Sequence, residues 1–244
     1  MGKKLVFISH ITEEKELAEF LSSFIKKTYL GMVETFVSSD ETSIPSGTRW
    51  IDTITNALEH SAVQITLCSH QSIGRPWINF EAGAAWIRKI PVIPVCHSGF
   101  TVDDLPSPLN NLEACNITSE HALRKLFSVI TQSLGCDDPN VDFSTIISFA
   151  NDFSYSYMYI NNVRMALIKL ESFYQGFISA IKDHKAVEID ILGVNQKEVM
   201  DCINILQGYH LATYTTLASG LGMSGSFLHI RINFSDKLLS LEII

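Results

Sequence analysis

The chain has 244 residues, enough for one large domain or a standard domain with a small appendage, and its net charge of −8 argues against a broad nucleic-acid footprint. Apolar residues make up 46%, yet no apolar run approaches the roughly 18 to 20 residues of a membrane span, and Leu5 to Ile8 is too short for a signal-peptide core, so a soluble cytoplasmic protein is expected. The cysteines, Cys68, Cys96, Cys115, Cys136 and Cys202, are odd in number and widely spaced without a C-x-x-C, which reads as buried thiols in a reducing compartment and speaks against a zinc site.

Lys3 to His10, KKLVFISH, sets four consecutive apolar residues before a small polar pair, the pattern of a doubly covered parallel strand meeting the rim of a sheet. From Thr12 the chain turns helical, with Thr12 as N-cap and Glu13, Glu14 and Glu16 in the first turn. Leu17, Phe20, Leu21, Phe24 and Ile25 then follow at three-and-four spacing until Gly31. Val33 to Val37 is a second short strand. The polar loop SSDETSIPSGTRW after it, with Pro45 and Gly47, is long for a strand-to-helix link. Trp50 to His60 reads as a helix on Ile51, Ile54 and Leu58, Ala62 to Ser69 as the third strand and Pro91 to Cys96 as the fourth, with a helix starting after Pro76 between them. Ala114 to Ile117 is a short last strand, Glu120 to Leu134 a closing helix, and residues 136 to 142, CDDPNVD, a boundary between units at 1–136 and 144–244.

Strict alternation of strand and helix predicts an α/β fold: a flavodoxin-like parallel sheet of about five strands with right-handed crossovers and helices on both faces. In such sheets ligands bind at the carboxyl ends of the strands. Ser9, His10, the loop from Asp40 to Trp50 and the loop from Ser69 to Trp77 all fall there.

Beyond the boundary the composition shifts towards a small α+β module. Val163, Leu167, Leu170, Phe173, Phe177 and Ile181 keep helical spacing, so residues from about Ser144 to Asp183 are mainly helix. Val187 to Leu192 alternates as a strand, Gln196 to Leu206 is a helix, and Leu228 to Phe234 alternates as another strand. Gly220, Gly222 and Gly225 spell G-x-G-x-x-G, but a strand follows them where a dinucleotide fingerprint needs a helix, so they read as a hairpin loop. The outline from Asp183 fits a winged helix, and its acidic balance argues against DNA binding.

One stretch concentrates chemistry. SIGRPWINFEAGAAW, from Ser72 to Trp86, holds a lone carboxylate, Glu81, among aromatic and small residues, and Trp77 four residues earlier shares its helix face. Two readings stand side by side. Either Glu81 is a placed acid with an indole beside it, or Trp77, Phe80, Ala84 and Ile87 pack on the sheet while Glu81 is solvated.

The run FISH at 7 to 10, the loop with Asp40, Pro45 and Gly47 leading into a helix, and the S-x-x-x-x-W-x-x-x-E spacing from Ser72 through Trp77 to Glu81 together resemble a Toll/interleukin-1 receptor (TIR) domain over roughly residues 3 to 135. The segment WINFEAGAAW looks most like bacterial TIR proteins that cleave NAD. That resemblance implies that Glu81 is the catalytic glutamate and that NAD is a substrate with no further cofactor or metal. It also implies that Phe7, Ser9 and His10 line a nicotinamide-ribose pocket. Asp40 and Trp50 lie at the ends of the rim loop and are counted with them, Arg49 and Arg75 suit the pyrophosphate, and Trp77 could stack on a flat ring or exclude water. A single carboxylate suits this chemistry. Ordinary glycosidases need a second to protonate a poor leaving group, whereas nicotinamide leaves NAD as a neutral base, so one carboxylate can bind the ribose hydroxyls and stabilise the charge that develops at the anomeric carbon.

What the resemblance implies has three forms. The first is an NAD glycohydrolase in bacterial antiviral defence, activated when copies assemble through the rim loop and the carboxyl-terminal module or when a partner or nucleotide signal arrives. The second is a cyclase making a cyclic ADP-ribose. The third is a non-catalytic scaffold, though scaffolds often lack the Trp and Glu at this spacing.

Overall fold

The structure, a computed structural model, describes residues 3–38, 50–222 and 225–241. Its first half alternates as the sequence predicts: β1 (Lys4–Ser9), α1 (Lys15–Thr28), β2 (Val33–Ser38), α2 (Trp50–His60), β3 (Ser61–Cys68), α3 (Pro76–Ile87), β4 (Val92–Cys96), β5 (Cys115–Asn116) and α4 (Glu120–Leu134). The strands pair in parallel in the order β2-β1-β3-β4-β5, which is the flavodoxin-like arrangement expected from the alternation. Strand order reverses between β1 and β3, so the crevice of the fold opens at their carboxyl ends. All five residues of β4 are buried, as are all but one of β3, because helices cover both faces of the sheet.

On one face, α1 buries Leu17, Leu21 and Ile25, and it meets α4 through a Phe24–Phe127 edge contact. Tyr29, just past α1, donates its hydroxyl hydrogen bond to the Phe127 carbonyl at 3.1 Å. On the other face, Ile54 and Leu58 of α2 pack with Ala82 and Ala85 of α3 and with Phe7 of β1. Helix α1 ends through Leu30 and Gly31, both in the left-handed region.

Two sequence expectations need correction. Thr12 is not the N-cap of a long helix. A 3₁₀ turn, Thr12–Glu14, precedes α1, and Glu14 folds its buried carboxylate back onto the Ile11 N–H at 3.2 Å. The carboxylate is drawn there by a buried polar cluster that local spacing does not reveal. Helix α3 also buries a different stripe from the amphipathic reading: Ile78, Glu81, Ala82 and Ala85 face inward, while Phe80 and Ile87 are exposed. Alanine at two of these positions lets the helix approach the sheet closely. Glu81 is accommodated there because donors meet it.

The chain divides into two compact units, Met1–Tyr155 and Ser156–Ile244, within the long helix α5 (Ser144–Phe173). The second unit continues with α6 (Phe177–Lys182), β6 (Val187–Leu192), α7 (Gln196–Gly208), β7 (Ala212–Gly222), β8 (Gly225–Phe234) and α8 (Asp236–Leu239). Its three strands form an antiparallel sheet in the order β6-β8-β7 over a core of Val163, Leu167, Leu170, Ile189, Ile203 and Ile230. The helical stretch expected to reach Asp183 breaks at Gly176, which is left-handed, and Glu171 caps the new start by accepting from the N–H groups of Gly176 and Ile178 at 2.8 and 2.7 Å. Gly220 and Gly222 lie at the end of β7 and Gly225 opens β8, with Gly222 opposite Gly225, so a strand follows them and not a helix; residues 223 and 224 between them lie outside the described residues. Strand β7 itself has no counterpart in the sequence reading, because its Thr-rich run lacks clean alternation.

Among the described residues no helix is long and apolar enough to cross a membrane. The cysteines are free, and burial pushes the Cys96 and Cys115 thiols up to about 12, so neither is a reactive nucleophile at neutral pH.

Candidate active site at the carboxyl ends of β1 and β2

Strands β1 and β2 carry the same ending, Phe7-Ile8-Ser9 and Phe36-Val37-Ser38, and they pair in register with Phe7 beside Phe36 and Ser9 beside Ser38. Side chains alternate across a strand, so each serine projects on the same side as its phenylalanine two residues earlier. The two rings stack at 5.3 Å below, and both hydroxyls point to Glu81 of α3 above. Ser9 Oγ donates to Glu81 Oε2 and Ser38 Oγ to Oε1, each at 2.5 Å. The indole of Trp77, one turn earlier on α3, donates from Nε1 to Oε1 at 2.7 Å. Glu81 is 0% exposed. A buried carboxylate is tolerated when hydrogen-bond donors replace its lost hydration, and these three supply that replacement while fixing its orientation.

The predicted site residues fall into groups. Ser9 and Trp77 touch Glu81, and Phe7, two residues before Ser9, stacks on Phe36 in the core. Arg75 lies at the N-terminus of α3 and pairs with Glu13 at 3.6 Å. Trp50 opens α2, but its side chain lies outside the description, as do Asp40 and Arg49 altogether. Ser38 joins these residues although it is not among the predicted ones; its signal in the sequence is the Phe-x-Ser ending repeated on two adjacent strands.

His10 follows Ser9, and alternation turns it towards the other side of the sheet from Glu81. It is 1% exposed, and neither ring nitrogen makes a hydrogen bond of good geometry. Burial lowers its pKa from 6.5 to about 4, against the opposing pull of the Glu14 carboxylate. Below pH 6.5 the unfolded chain takes up this proton while the folded state refuses it, so stability is full above that pH and falls as the pH drops towards 4, by up to about 3 kcal/mol. We expect His10→Leu to flatten the pH dependence of Tm between pH 7 and 4.5 relative to wild type. Identical slopes in the two proteins would contradict this assignment.

A second buried carboxylate lies nearby in the same unit. Glu14, also 0% exposed, accepts from Ser69 Oγ at 2.6 Å, and His97 Nε2 stands 3.1 Å from the same oxygen. Ser69 and Ser72 then brace each other, with the Ser69 N–H donating to Ser72 Oγ at 2.8 Å. These bonds hold the loop between β3 and α3, and with it the start of the helix that carries Trp77 and Glu81. His97 Nδ1 lies 2.9 Å from Ser98 Oγ, so the cluster also ties down the end of β4.

Residues 6–127 match the family model described as TIR domain. No curated protein matches the sequence. Among solved structures, the chain is similar to the TIR domains of the activated Roq1 resistosome directly recognizing the pathogen effector XopQ, at 14% identity and a TM-score of 0.33, covering 60% of this chain and 96% of that one. It is also similar to a metazoan TIR-STING receptor from C. gigas, at 19% identity and a TM-score of 0.37, covering 69% of this chain and 51% of that one.

Proposed function

The chain belongs to the TIR domain family, and from that premise we propose that it cleaves the N-glycosidic bond of NAD, releasing nicotinamide and ADP-ribose, with Glu81 as the catalytic carboxylate. The observation that carries this reading is a fully buried carboxylate at the carboxyl ends of parallel strands, held by two serine hydroxyls and an indole N–H. A ribose diol offers the same pair of O–H donors that Ser9 and Ser38 present to the two carboxylate oxygens. Substrate hydroxyls can take over those two positions when the serines rotate away, leaving the Trp77 N–H to keep the carboxylate aimed. Nicotinamide departs as a neutral base, so Glu81 acts by stabilising positive charge at the anomeric carbon and needs no partner acid.

The serine bonds also support control by assembly. With both oxygens of Glu81 engaged inside the fold, the resting site is closed, and the contacts of a neighbouring copy or an activating signal supply the free energy to open it. A cytoplasmic enzyme of bacterial antiviral defence, silent until triggered, fits that arrangement. In the cyclase alternative another nucleophile of the substrate replaces water at the same carbon.

Mass spectrometry of the products formed from NAD by concentrated protein tests this. ADP-ribose with an equal amount of nicotinamide is expected, a cyclised isomer selects the alternative, and unchanged NAD rejects both. Trp77→Phe keeps the ring and removes the N–H. Turnover should fall roughly tenfold, about the 1.4 kcal/mol of one hydrogen bond to a charged group. Wild-type turnover in this variant would remove Trp77 from the site.

A further inference from the structure

We propose that a cavity on the outer flank of α3 is a second small-molecule site, built for a neutral single-ring aromatic carboxamide such as nicotinamide. The cavity, about 170 Å³ in volume, lies between α3 and residues 108–112, which lead towards β5. It is separate from the carboxylate site. Asn79 and Gly83, each two residues from Glu81, lie across the helix from it at roughly 100° per residue, and neither Ser9, Ser38 nor Trp77 lines the cavity. Gly83 keeps this space open. It stands inside α3, where glycine is the poorest helix former after proline. A Cβ added there would meet nothing within 4 Å, so close packing does not call for glycine. A larger side chain at this position would instead occupy the cavity that Gly83 borders.

The lining decides what fits. Leu109 and Leu112 supply apolar surface, and the indole of Trp86, 60% exposed, adds an aromatic wall. An apolar cavity of about 150 Å³ holds benzene, so this one suits a single ring. Two carboxamides sit among the apolar groups. Asn79 donates its NH₂ to the carbonyls of Ile73 and Arg75 at 3.1 and 3.3 Å, which leaves its Oδ1 to accept. Asn111, whose side chain makes no hydrogen bond among the described residues, is left to donate. A primary amide on the ring answers both, giving an N–H to Asn79 and accepting one from Asn111. Among the described residues no charged side chain lines the cavity, so an ionised ligand would lose its hydration without gaining a partner. Nicotinamide meets these requirements and is the product that the proposed reaction releases. Naming it as the occupant rests on that reading; the site itself does not.

Titration of the full chain with nicotinamide, followed by ¹H–¹⁵N NMR, tests the proposal in the absence of NAD. Saturable shifts are expected at the Trp86 indole N–H, assigned with Trp86→Phe, and at the side-chain amide of Asn111. Nicotinic acid, with a carboxylate in place of the amide, should bind at least about tenfold more weakly. Gly83→Leu fills the cavity with a better helix former and should weaken nicotinamide binding at least about tenfold without lowering Tm. Gly83→Ala, the smaller change, serves if the leucine variant misfolds and should weaken binding in the same direction. Absence of saturable shifts at Trp86 and Asn111, shifts confined to Trp77, nicotinic acid bound as tightly as nicotinamide, or a folded Gly83 variant that binds like wild type would each overturn it. Failure of this proposal and failure of the enzymatic reading are distinguishable: intact NAD beside normal nicotinamide binding removes only the catalysis, and cleaved NAD without these shifts removes only the second site.

Discussion

Glu81→Gln should abolish nearly all release of nicotinamide, by roughly 10² to 10³-fold or more, while leaving the fold intact. The amide keeps the shape of the side chain. Its oxygen can still accept from Trp77 Nε1 and Ser38, and its NH₂ can donate to Ser9 once that hydroxyl rotates, so the packing of α3 is preserved. In the proposed reaction what disappears is the negative charge, and with it the stabilisation of the cationic sugar. The expected cost in stability is about 1 kcal/mol, a few degrees in Tm. Glu81→Ala is a poorer probe, because it removes the acceptor that Ser9, Ser38 and Trp77 share. Parallel assays of NAD cleavage and thermal unfolding separate the two effects; a glutamine variant with wild-type turnover would remove Glu81 from the chemistry.

Glu14→Ala should do the reverse of Glu81→Gln at the level of the whole unit, destabilising it strongly. Ser69, His97 and the Ile11 N–H lose their shared acceptor in a site from which water is excluded. Removing one partner from a buried charged network costs about 3 to 5 kcal/mol, roughly 10 °C in Tm for a unit of this size. Because the same bonds hold the loop that leads into α3, the variant should also lose activity at temperatures where it remains folded. Thermal unfolding checks the first effect: a shift under about 2 °C would mean that the cluster contributes little.

The sheet was legible in the sequence because a doubly wound fold writes its strands as short apolar runs and separates them with helices whose periodicity differs. Trp77 and Glu81 were legible for the same local reason, four residues apart on one helix. Ser38 was harder to see, since its role depends on the in-register pairing of two strands and not on its own neighbours. The Glu14–His97 pair could not be read at all: the residues stand 83 apart, and a glutamate in a first helical turn looks solvated until the fold brings a histidine and a serine to it. The cavity beside α3 was equally invisible, because it forms only where residues 108–112 return against the helix.

The most direct measurement is proton NMR of NAD incubated with purified wild-type protein across a concentration series, following the resonances of free nicotinamide. Nicotinamide should appear at a rate that rises faster than linearly with protein concentration, as expected of a closed site opened by assembly. NAD that remains intact at every concentration, in protein shown by sedimentation to have assembled, would contradict catalysis by Glu81.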